Sequence, residues 1–357
     1  MRNAFEKTLI SPNIFRGKRV WLSGHTGFKG GWLAVWLTQM GAIVTGFSLA
    51  PTSPFFSQLK LKNRIRHEIG DIRNLEKVKK SIIKCRPDFV FHLAAQPIIR
   101  KSYLDPLETY KTNTLGTLHV LEALRGLDNP CAAVFITTDK VYRNDEKKHA
   151  FKEDDPLGGK DPYSASKAAA EILINSYRNS FFQNHLIRIA SARAANVIGG
   201  GDYSDDRIIP DAFRSLRDNH PILVRNPYSI RPWQHVLEPL SGYLILASSL
   251  IRNHKFEGAY NFGPSINNEK TVSELMFEIL KNWKGSWRHI KEKHPPHEDK
   301  RLQINNDKSK KELRWRPRLS FSEAVRLTME WYQDSLDPNF DAYIICQKQI
   351  KKYEKIK

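Results

Sequence analysis

The chain has few cysteines and no long apolar stretch, and both scarcities exclude classes of protein. Only three cysteines occur in 357 residues, Cys85, Cys131 and Cys346. They are too few and too scattered for a disulfide framework or a zinc site. No stretch approaches the roughly 18 consecutive apolar residues of a membrane span, and the charged N-terminus is unlike a secretory signal. We therefore expect a cytoplasmic protein with no metal site and no membrane partner.

Acidic residues are also scarce relative to basic ones. There are 38 Asp and Glu against 57 Lys and Arg, which gives a net charge of +19. A nucleic-acid-binding protein gathers its basic residues in a stripe, whereas here they are spread along the chain, with the densest run, KQIKKYEKIK, at its end. The pattern predicts a solvated basic surface that attracts anionic small molecules such as nucleotides, and no nucleic-acid partner.

Short apolar runs alternate with amphipathic stretches over roughly the first half of the chain, as in a parallel sheet with crossover helices. We predict strands over residues 19–23, 43–47, 67–70, 89–93, 134–137 and 186–190. We predict helices over residues 32–40, 75–85, 107–127 and 163–182. Most of these strands are continuously apolar, which indicates burial on both faces.

The predicted fold class is α/β, a Rossmann-type doubly wound parallel sheet with a smaller C-terminal substrate-binding lobe. After Asn196 the alternation of apolar and amphipathic runs ends, and a loop rich in Gly, Asp and Arg is followed by short elements. We therefore predict an N-terminal extension over residues 1–17 and a nucleotide-binding domain over 18–195. A mainly substrate-binding lobe follows over 196–340, and a basic tail over 341–357.

A glycine-rich loop directly follows the first predicted strand. The segment 24–30 reads GHTGFKG, which has the spacing GxxGxxG and opens into an apolar helix. Its glycines permit a tight turn and let backbone N–H groups approach a pyrophosphate at the helix N-terminus. We predict that a dinucleotide contacts this loop, the ends of strands three and four, and two residues further along the chain, through Gly24, Thr26, Gly27, Phe28, Lys29, Gly30, Asp71, Ile72, Leu93, Ala94, Ala95, Gln96, Tyr163 and Lys167.

Two points about that cofactor stay open in the sequence. Strand two ends in Phe47-Ser48-Leu49, without the acid or arginine that would distinguish NAD from NADP. Asp71 can contact the adenine or can serve as the N-cap of the helix that follows it.

Two further segments carry groups suited to proton transfer. Tyr163 and Lys167 are spaced by four residues, which places them on one face of a helix, and an adjacent ammonium favours the phenolate form of a tyrosine. A phenolate can remove a proton from a sugar hydroxyl during hydride transfer. Thr138, Asp139 and Lys140 end strand five, at the edge where open α/β sheets bind ligands, and offer a hydroxyl, an acid and an amine.

With these motifs, the chain resembles the extended short-chain dehydrogenases/reductases and, more narrowly, their CDP-glucose 4,6-dehydratase branch. The shared segments include SGHTGFKGGWL, HLAAQP, TTDKVY, DPYSASK, ANVIGGGDY and RPWQHV. The Asp-Lys pair after Thr138 and the RPWQHV segment are the specific parts, since dTDP-glucose dehydratases carry Thr-Asp-Glu at the first of these positions. The resemblance covers residues 15–340.

The resemblance implies an NAD-dependent lyase that converts CDP-glucose to CDP-4-dehydro-6-deoxyglucose, a step of deoxysugar and surface polysaccharide (lipopolysaccharide) synthesis. Tyr163, beside Lys167, would take the O4 proton, while Thr138 orients the C4 hydroxyl. Asp139 would protonate the C6 oxygen, and Lys140 is the candidate C5 base. The implied substrate contacts are Gln96, Asn113, Thr138, Asn196, Arg207, Ile209, Arg225, Arg231 and His235.

The resemblance also implies a homo-oligomer, a dimer or tetramer, that pairs through the helices over residues 107–127 and 163–182. Three alternatives remain. A nucleotide-sugar 4-epimerase shares the loop and the Tyr–Lys pair but does not need the acid and base, Asp139 and Lys140, that water loss requires. A dehydratase for another nucleotide sugar and a non-enzymatic sensor of NAD or nucleotide sugar are the others.

Overall fold

The protein is described by a computed structural model that covers residues 12–145, 149–265, 269–291 and 302–356. Within these ranges no helix is both long enough and apolar enough to cross a membrane. The three cysteines are buried and carry free thiols.

A twisted sheet of seven parallel strands forms the centre of the described structure, in the order β11-β6-β5-β4-β1-β2-β3. The strands along the chain are β1 Arg19–Ser23, β2 Ile43–Ser48, β3 Arg66–Ile69, β4 Phe89–His92, β5 Cys131–Ile136, β6 Ile187–Ala194, β7 Val197–Ile198, β8 Ile222–Val224, β9 Ile230–Pro232, β10 Gln234–His235, β11 Gly258–Phe262, β12 Glu269–Thr271 and β13 Trp287–His289.

Helices cover both faces of this sheet. They are α1 Phe28–Gln39, α2 Phe55–Gln58, α3 Leu75–Cys85, α4 Ile99–Leu104, α5 Pro106–Tyr110, α6 Gly116–Arg125, α7 Pro162–Ser180, α8 Ile208–Arg217, α9 Leu237–Leu250, α10 Val272–Asn282, α11 Asp307–Leu313, α12 Phe321–Asp334 and α13 Ala342–Glu354. A π-helical turn over Lys111–Leu115 joins α5 to α6, so the helix predicted over residues 107–127 is one continuous helical run.

The parallel sheet with helices on both faces confirms the predicted doubly wound fold. Apolar strands that are buried on both faces require such a layer of helices on each side. All six predicted strands are present, and the order of the sheet reverses between β1 and β4, its topological switch point. Ligands of such sheets bind in the crevice at the carboxyl ends of the strands next to the switch point.

The C-terminal half of the chain contributes both to this sheet and to a separate lobe. Strand β11 pairs in parallel with β6 and completes the sheet, although its residues fall in the segment 196–340 that is predicted to be mainly a substrate-binding lobe. The small strand pairs β10–β7, β12–β9 and β13–β8 build the lobe itself. The segment 196–340 therefore returns to the central sheet at β11 and is not a lobe apart from it.

The two predicted terminal segments pack on the domain where the structure describes them. Residues 1–11 of the predicted extension lie outside the described ranges, whereas Phe15 is fully buried with its ring 4.7 Å from that of Phe89. The segment predicted as a basic tail forms helix α13. Its Cys346, Ile350 and Tyr353 are buried in the main core, and its basic residues lie between these apolar positions.

A buried ion pair joins α7, the helix that carries Tyr163 and Lys167, to strand β6 of the sheet. Arg193 of β6 donates to Glu171 of α7 at 2.8 Å, with side chains only 4% and 3% exposed. Glu171 also accepts from Thr137 and Ser191, and Arg193 also donates to the Tyr142 hydroxyl. Loss of one partner leaves the other charge buried without compensation, which is far costlier than loss of an exposed pair.

We predict that Arg193→Met lowers the free energy of unfolding by about 3–5 kcal/mol, measured by urea denaturation. The matched control is Lys310→Met, which removes the exposed pair of Lys310 with Asp307 and should cost less than about 1 kcal/mol. The double variant Glu171→Met/Arg193→Met should lose less than Arg193→Met alone. A loss in Arg193→Met no larger than that in Lys310→Met would contradict this interpretation.

Candidate active site

The glycine-rich loop turns tightly at the carboxyl end of β1 and leads directly into α1. Gly24 has a φ of +76°, and a Cβ there would lie 2.8 Å from the backbone nitrogen of Ala94. A Cβ on Gly30 would lie 2.1 Å from the carbonyl oxygen of Gly24. At Gly27 the space is open, because a Cβ would meet only the Gly24 oxygen, at 3.5 Å. Two glycines therefore allow the turn, and the helix N-terminus lies free for an anion such as a pyrophosphate.

A cavity of about 460 Å³ runs from this loop along the carboxyl ends of the strands. It is lined by every residue that the sequence analysis assigns to the cofactor, namely Gly24, Thr26, Gly27, Phe28, Lys29, Gly30, Asp71, Ile72, Leu93, Ala94, Ala95, Gln96, Tyr163 and Lys167. An elongated cleft that follows a glycine-rich loop suits a dinucleotide.

Asp71 lines one end of this cavity and forms an ion pair that the sequence analysis missed. Arg73 donates to the Asp71 carboxylate at 2.6 Å, and this hydrogen bond lowers the pKa of the carboxyl. Asn74, rather than Asp71, is the N-cap of α3 and accepts from the Lys77 backbone at 3.0 Å. The alternative interpretation of Asp71 as an N-cap is therefore wrong, and both Asp71 and Arg73 line the cavity.

A second cavity, of about 300 Å³, lies between the sheet and the C-terminal lobe. Of the predicted catalytic and substrate-binding residues, it is lined by Thr138, Asp139, Lys140, Tyr163, Asn196, Arg207, Ile209, Arg225 and Arg231. Six residues line both cavities: Lys29, Pro97, Ile98, Thr137, Tyr163 and Arg207. The two cavities therefore adjoin at Tyr163.

Tyr163 and Lys167 lie on the first turns of α7, which begins at the N-cap Asp161. The carboxylate of Asp161 accepts from the Ser164 backbone at 2.9 Å and holds the start of the helix in place. Burial raises the pKa of Tyr163 to about 12, although a hydrogen bond with Thr138 lowers it. Burial lowers the pKa of Lys167 to about 8, and its ammonium donates to the Ile136 carbonyl at 3.0 Å.

The structure thus differs from the expectation that Lys167 favours the phenolate form of Tyr163. Burial of the phenol is the larger effect, because a phenolate loses more hydration than a phenol does. Lys167 remains mostly protonated at neutral pH with a pKa of about 8. Burial therefore favours the phenol form of Tyr163, while Thr138 and Arg207 favour its ionisation.

Thr138 and Asp139 lie at the end of β5, in a short helical turn that Thr138 caps. The Thr138 hydroxyl donates to Asp139 Oδ1 at 3.0 Å and accepts from the Lys140 backbone at 3.3 Å. Asp139 is buried, and its Oδ2 has no hydrogen-bond partner among the residues described. Burial raises the pKa of Asp139, while the neighbouring Lys140 lowers it. A buried carboxyl with a raised pKa and an unpartnered oxygen is suited to donate a proton.

Acidic side chains that the sequence analysis did not single out hold the predicted arginines of the second cavity. Arg207 donates to Asp202 at 3.0 Å, and both guanidinium nitrogens of Arg225 lie 3.0 Å from Asp206 Oδ1. In the sequence, these pairs were indicated by the Asp residues that lie close to Arg207 in the segment 202–207, DYSDDR. These pairs orient the guanidinium groups at the cavity wall before a ligand binds.

Three predicted substrate contacts lie elsewhere. Gln96 is buried and lines the first cavity only. Asn113 lies behind it, outside both cavities, and its amide bonds the backbone of Gln96 and the Ser166 hydroxyl. His235 is fully buried, with its ring 6.0 Å from Trp32, and burial lowers its pKa to about 3. Asn113 and His235 therefore pack behind the site in this structure.

Comparison with known proteins agrees with this architecture. Residues 22–328 match the family model described as GDP-mannose 4,6 dehydratase. A CDP-glucose 4,6-dehydratase of Salmonella typhimurium is 45% identical to the chain over 355 residues, which cover 97% of this chain and 98% of that protein.

Solved structures share the fold. One is a dTDP-glucose 4,6-dehydratase of Bacillus anthracis in complex with NAD, with a TM-score of 0.73, 23% identity, and coverage of 88% of this chain and 96% of that one. Another is a UDP-glucose 4-epimerase of Thermus thermophilus in complex with NAD, with a TM-score of 0.75, 25% identity, and coverage of 88% and 99%. The chain therefore belongs to the GDP-mannose 4,6 dehydratase family of extended short-chain dehydrogenases/reductases.

Proposed function

We propose that the chain is a CDP-glucose 4,6-dehydratase, which converts CDP-glucose to CDP-4-dehydro-6-deoxyglucose and water with no net change in its cofactor. This proposal rests on the buried carboxyl of Asp139, whose Oδ2 has no partner among the described residues and which lines the second cavity together with Tyr163. Identity of 45% over nearly the whole length to the Salmonella enzyme supports the same activity and the same nucleotide.

The first cavity fits NAD, because its glycine turn leaves the N-terminus of α1 open and its length follows the sheet edge. The loop residues from Gly24 to Gly30 would hold the pyrophosphate, and Asp71 and Ile72 would contact the adenosine end. When bound, NAD⁺ supplies a hydride acceptor that later returns the hydride. The relatives solved with NAD support this choice over NADP.

Tyr163 would remove the O4 proton of the sugar, since its phenol lines both cavities. Lys167 holds a positive charge on the same face of α7, and Thr138 shares a hydrogen bond with the phenol. Burial raises the pKa of Tyr163, and the guanidinium of Arg207, which lines both cavities, acts in the opposite direction and favours ionisation of the phenol.

Asp139 and Lys140 would carry out the loss of water. Asp139 would protonate the departing C6 oxygen, and burial favours this role because it raises the pKa of the carboxyl. Lys140 lines the same cavity and would remove the C5 proton, which the neighbouring C4 ketone makes acidic. An epimerase has no need of this acid and base pair, and this favours dehydration over epimerisation.

The arginines of the second cavity would bind the diphosphate of the substrate. Arg207, Arg225 and Arg231 line this cavity with Asn196 and Ile209, and guanidinium forks bind phosphate oxygens in pairs. Gln96 would contact the ligands from the cofactor side. Asn113 and His235 would act through their neighbours.

Incubation with the CDP, dTDP, UDP and GDP sugars tests the proposed function. We expect a 4-keto product, detected by its absorbance in alkali, and the fastest formation from CDP-glucose. Faster product formation from another nucleotide sugar would identify that sugar as the substrate. An epimerised sugar without keto product would identify an epimerase. Reduced nicotinamide on the protein with no released product would favour a sensor.

Substitution of the three proton-transfer residues should stop the reaction at different steps. Tyr163→Phe should lower turnover by about 10²–10⁴-fold, since it removes the O4 base. Lys140→Ala should oxidise C4 but fail to exchange the C5 hydrogen with deuterated solvent, whereas Asp139→Asn should exchange C5 without losing water. These steps are followed by nicotinamide absorbance and by mass spectrometry of the sugar.

Lys160→Ala is the matched control for the lysine variant, since Lys160 is exposed and lies outside both cavities. It should behave as the unmodified chain does. Normal C5 exchange in Lys140→Ala would assign the base role to another residue.

We further propose that the chain forms a homo-oligomer through the helical run from α5 to α6 and through α7. Apolar side chains are exposed there, including Leu107 at 62%, Leu115 at 44% and Ile172 at 59%, and clustered exposed apolar groups indicate an interface. We expect light scattering after gel filtration to give at least a dimer, and Leu107→Asp/Ile172→Asp to shift it toward the monomer. A monomeric unmodified chain would refute this proposal.

A further inference from the structure

Lys29 is placed where the two cavities of the active site meet. It is the second residue of α1, and of the residues that line both cavities only Lys29 and Arg207 are basic. Its side chain is partly exposed, and this surface faces the cavities that it lines. A cation at this position can reach ligands on both sides of the junction.

Like and opposite charges act on Lys29 in equal number. Arg207 and Lys167 act on it as like charges, whereas Asp139 and Asp202 act as opposite charges. Asp202 is already paired with Arg207 at 3.0 Å. Lys29 itself has no ion pair or side-chain hydrogen bond within the described parts of the chain, so its ammonium is available to a ligand.

We propose that Lys29 is a shared phosphate ligand, whose ammonium binds the substrate diphosphate in the second cavity and the cofactor pyrophosphate in the first, and so couples the binding of the two. This inference rests on the proposed function, which supplies two diphosphate-bearing ligands. The glycine loop binds one pyrophosphate through backbone N–H groups, and the lobe binds the other through arginines. Lys29 and Arg207 both reach the two sites, but Arg207 is paired with Asp202.

Protonation of Lys29 provides a readout for this role. The pKa of Lys29 is lowered to about 7, chiefly by burial and also by Arg207, while Asp139 acts in the opposite direction. A bound phosphate stabilises the ammonium and raises the pKa of Lys29. Below pH ~7 the lysine already carries its proton, so binding takes up none; above pH ~7 binding must take up a proton, and affinity falls as the pH rises.

The experiment is isothermal titration of CDP-glucose in two buffers with different heats of ionisation, at pH 6 and pH 8. The protein carries Tyr163→Phe, which prevents turnover during the titration. We expect uptake of roughly 0.9 proton at pH 8 and roughly 0.1 at pH 6. The diphosphate of CDP-glucose does not titrate in this range, so the protons go to the protein.

Two substitutions in the same background separate Lys29 from its neighbours. Lys29→Arg keeps the charge but cannot titrate, so it should bind within a few-fold of the parent at pH 8 and lose most of the proton uptake. Any uptake that remains belongs to Asp139 or Lys167. Lys29→Met should weaken binding by about 10- to 100-fold, the effect of removing a charged hydrogen bond, and should retain less NAD after gel filtration than Lys29→Arg.

The proposal is overturned if proton uptake in Lys29→Arg equals that of the parent, or if Lys29→Met retains NAD as the parent does. Either result alone is sufficient, so if one of the two variants does not fold, the other still decides. Turnover of the unmodified chain is measured separately. A chain that produces no keto product but shows the Lys29 effects would refute the proposed function and keep the phosphate site.

Discussion

The parallel pairing of β1 with both β2 and β4 is the constraint on which the rest of the structure depends. Because the order of the sheet reverses between β1 and β4, the loops that follow these strands diverge and leave a crevice. Gly24 can turn there only because it has no side chain to meet Ala94, which follows β4. This close approach sets where α1 begins. The nucleotide cavity and its junction with the second cavity at Lys29 depend on that position.

Removal of charged groups from water controls the chemistry at that crevice. Burial raises the pKa of Tyr163 and Asp139 and lowers that of Lys167 and Lys29. Burial thereby shifts each group toward its neutral form, and the charges of neighbouring side chains such as Arg207 and Lys140 act in the opposite direction on Tyr163 and Asp139.

Much of the fold and of the candidate site could be predicted from local patterns. Apolar runs mark the strands up to β6, and the loop 24–30 and the Tyr163–Lys167 pair mark the cavity, since each motif is contained within a few residues. The patterns did not reveal that β11 completes the sheet or that α13 packs in the core. Both depend on contacts with residues that are distant in sequence, and the basic residues of α13 hide its apolar positions.

The candidate substrate contacts show the same limit at the level of single residues. Arg207 and His235 are polar residues in a loop-rich segment, yet one lines both cavities and the other is fully buried beside Trp32. The sequence by itself determined which chemical groups are available and which of them share a helix face or a turn, because those relations are local. Only the tertiary structure decided which groups face the cavities and how far their pKa values move, because burial is set by the whole surrounding fold.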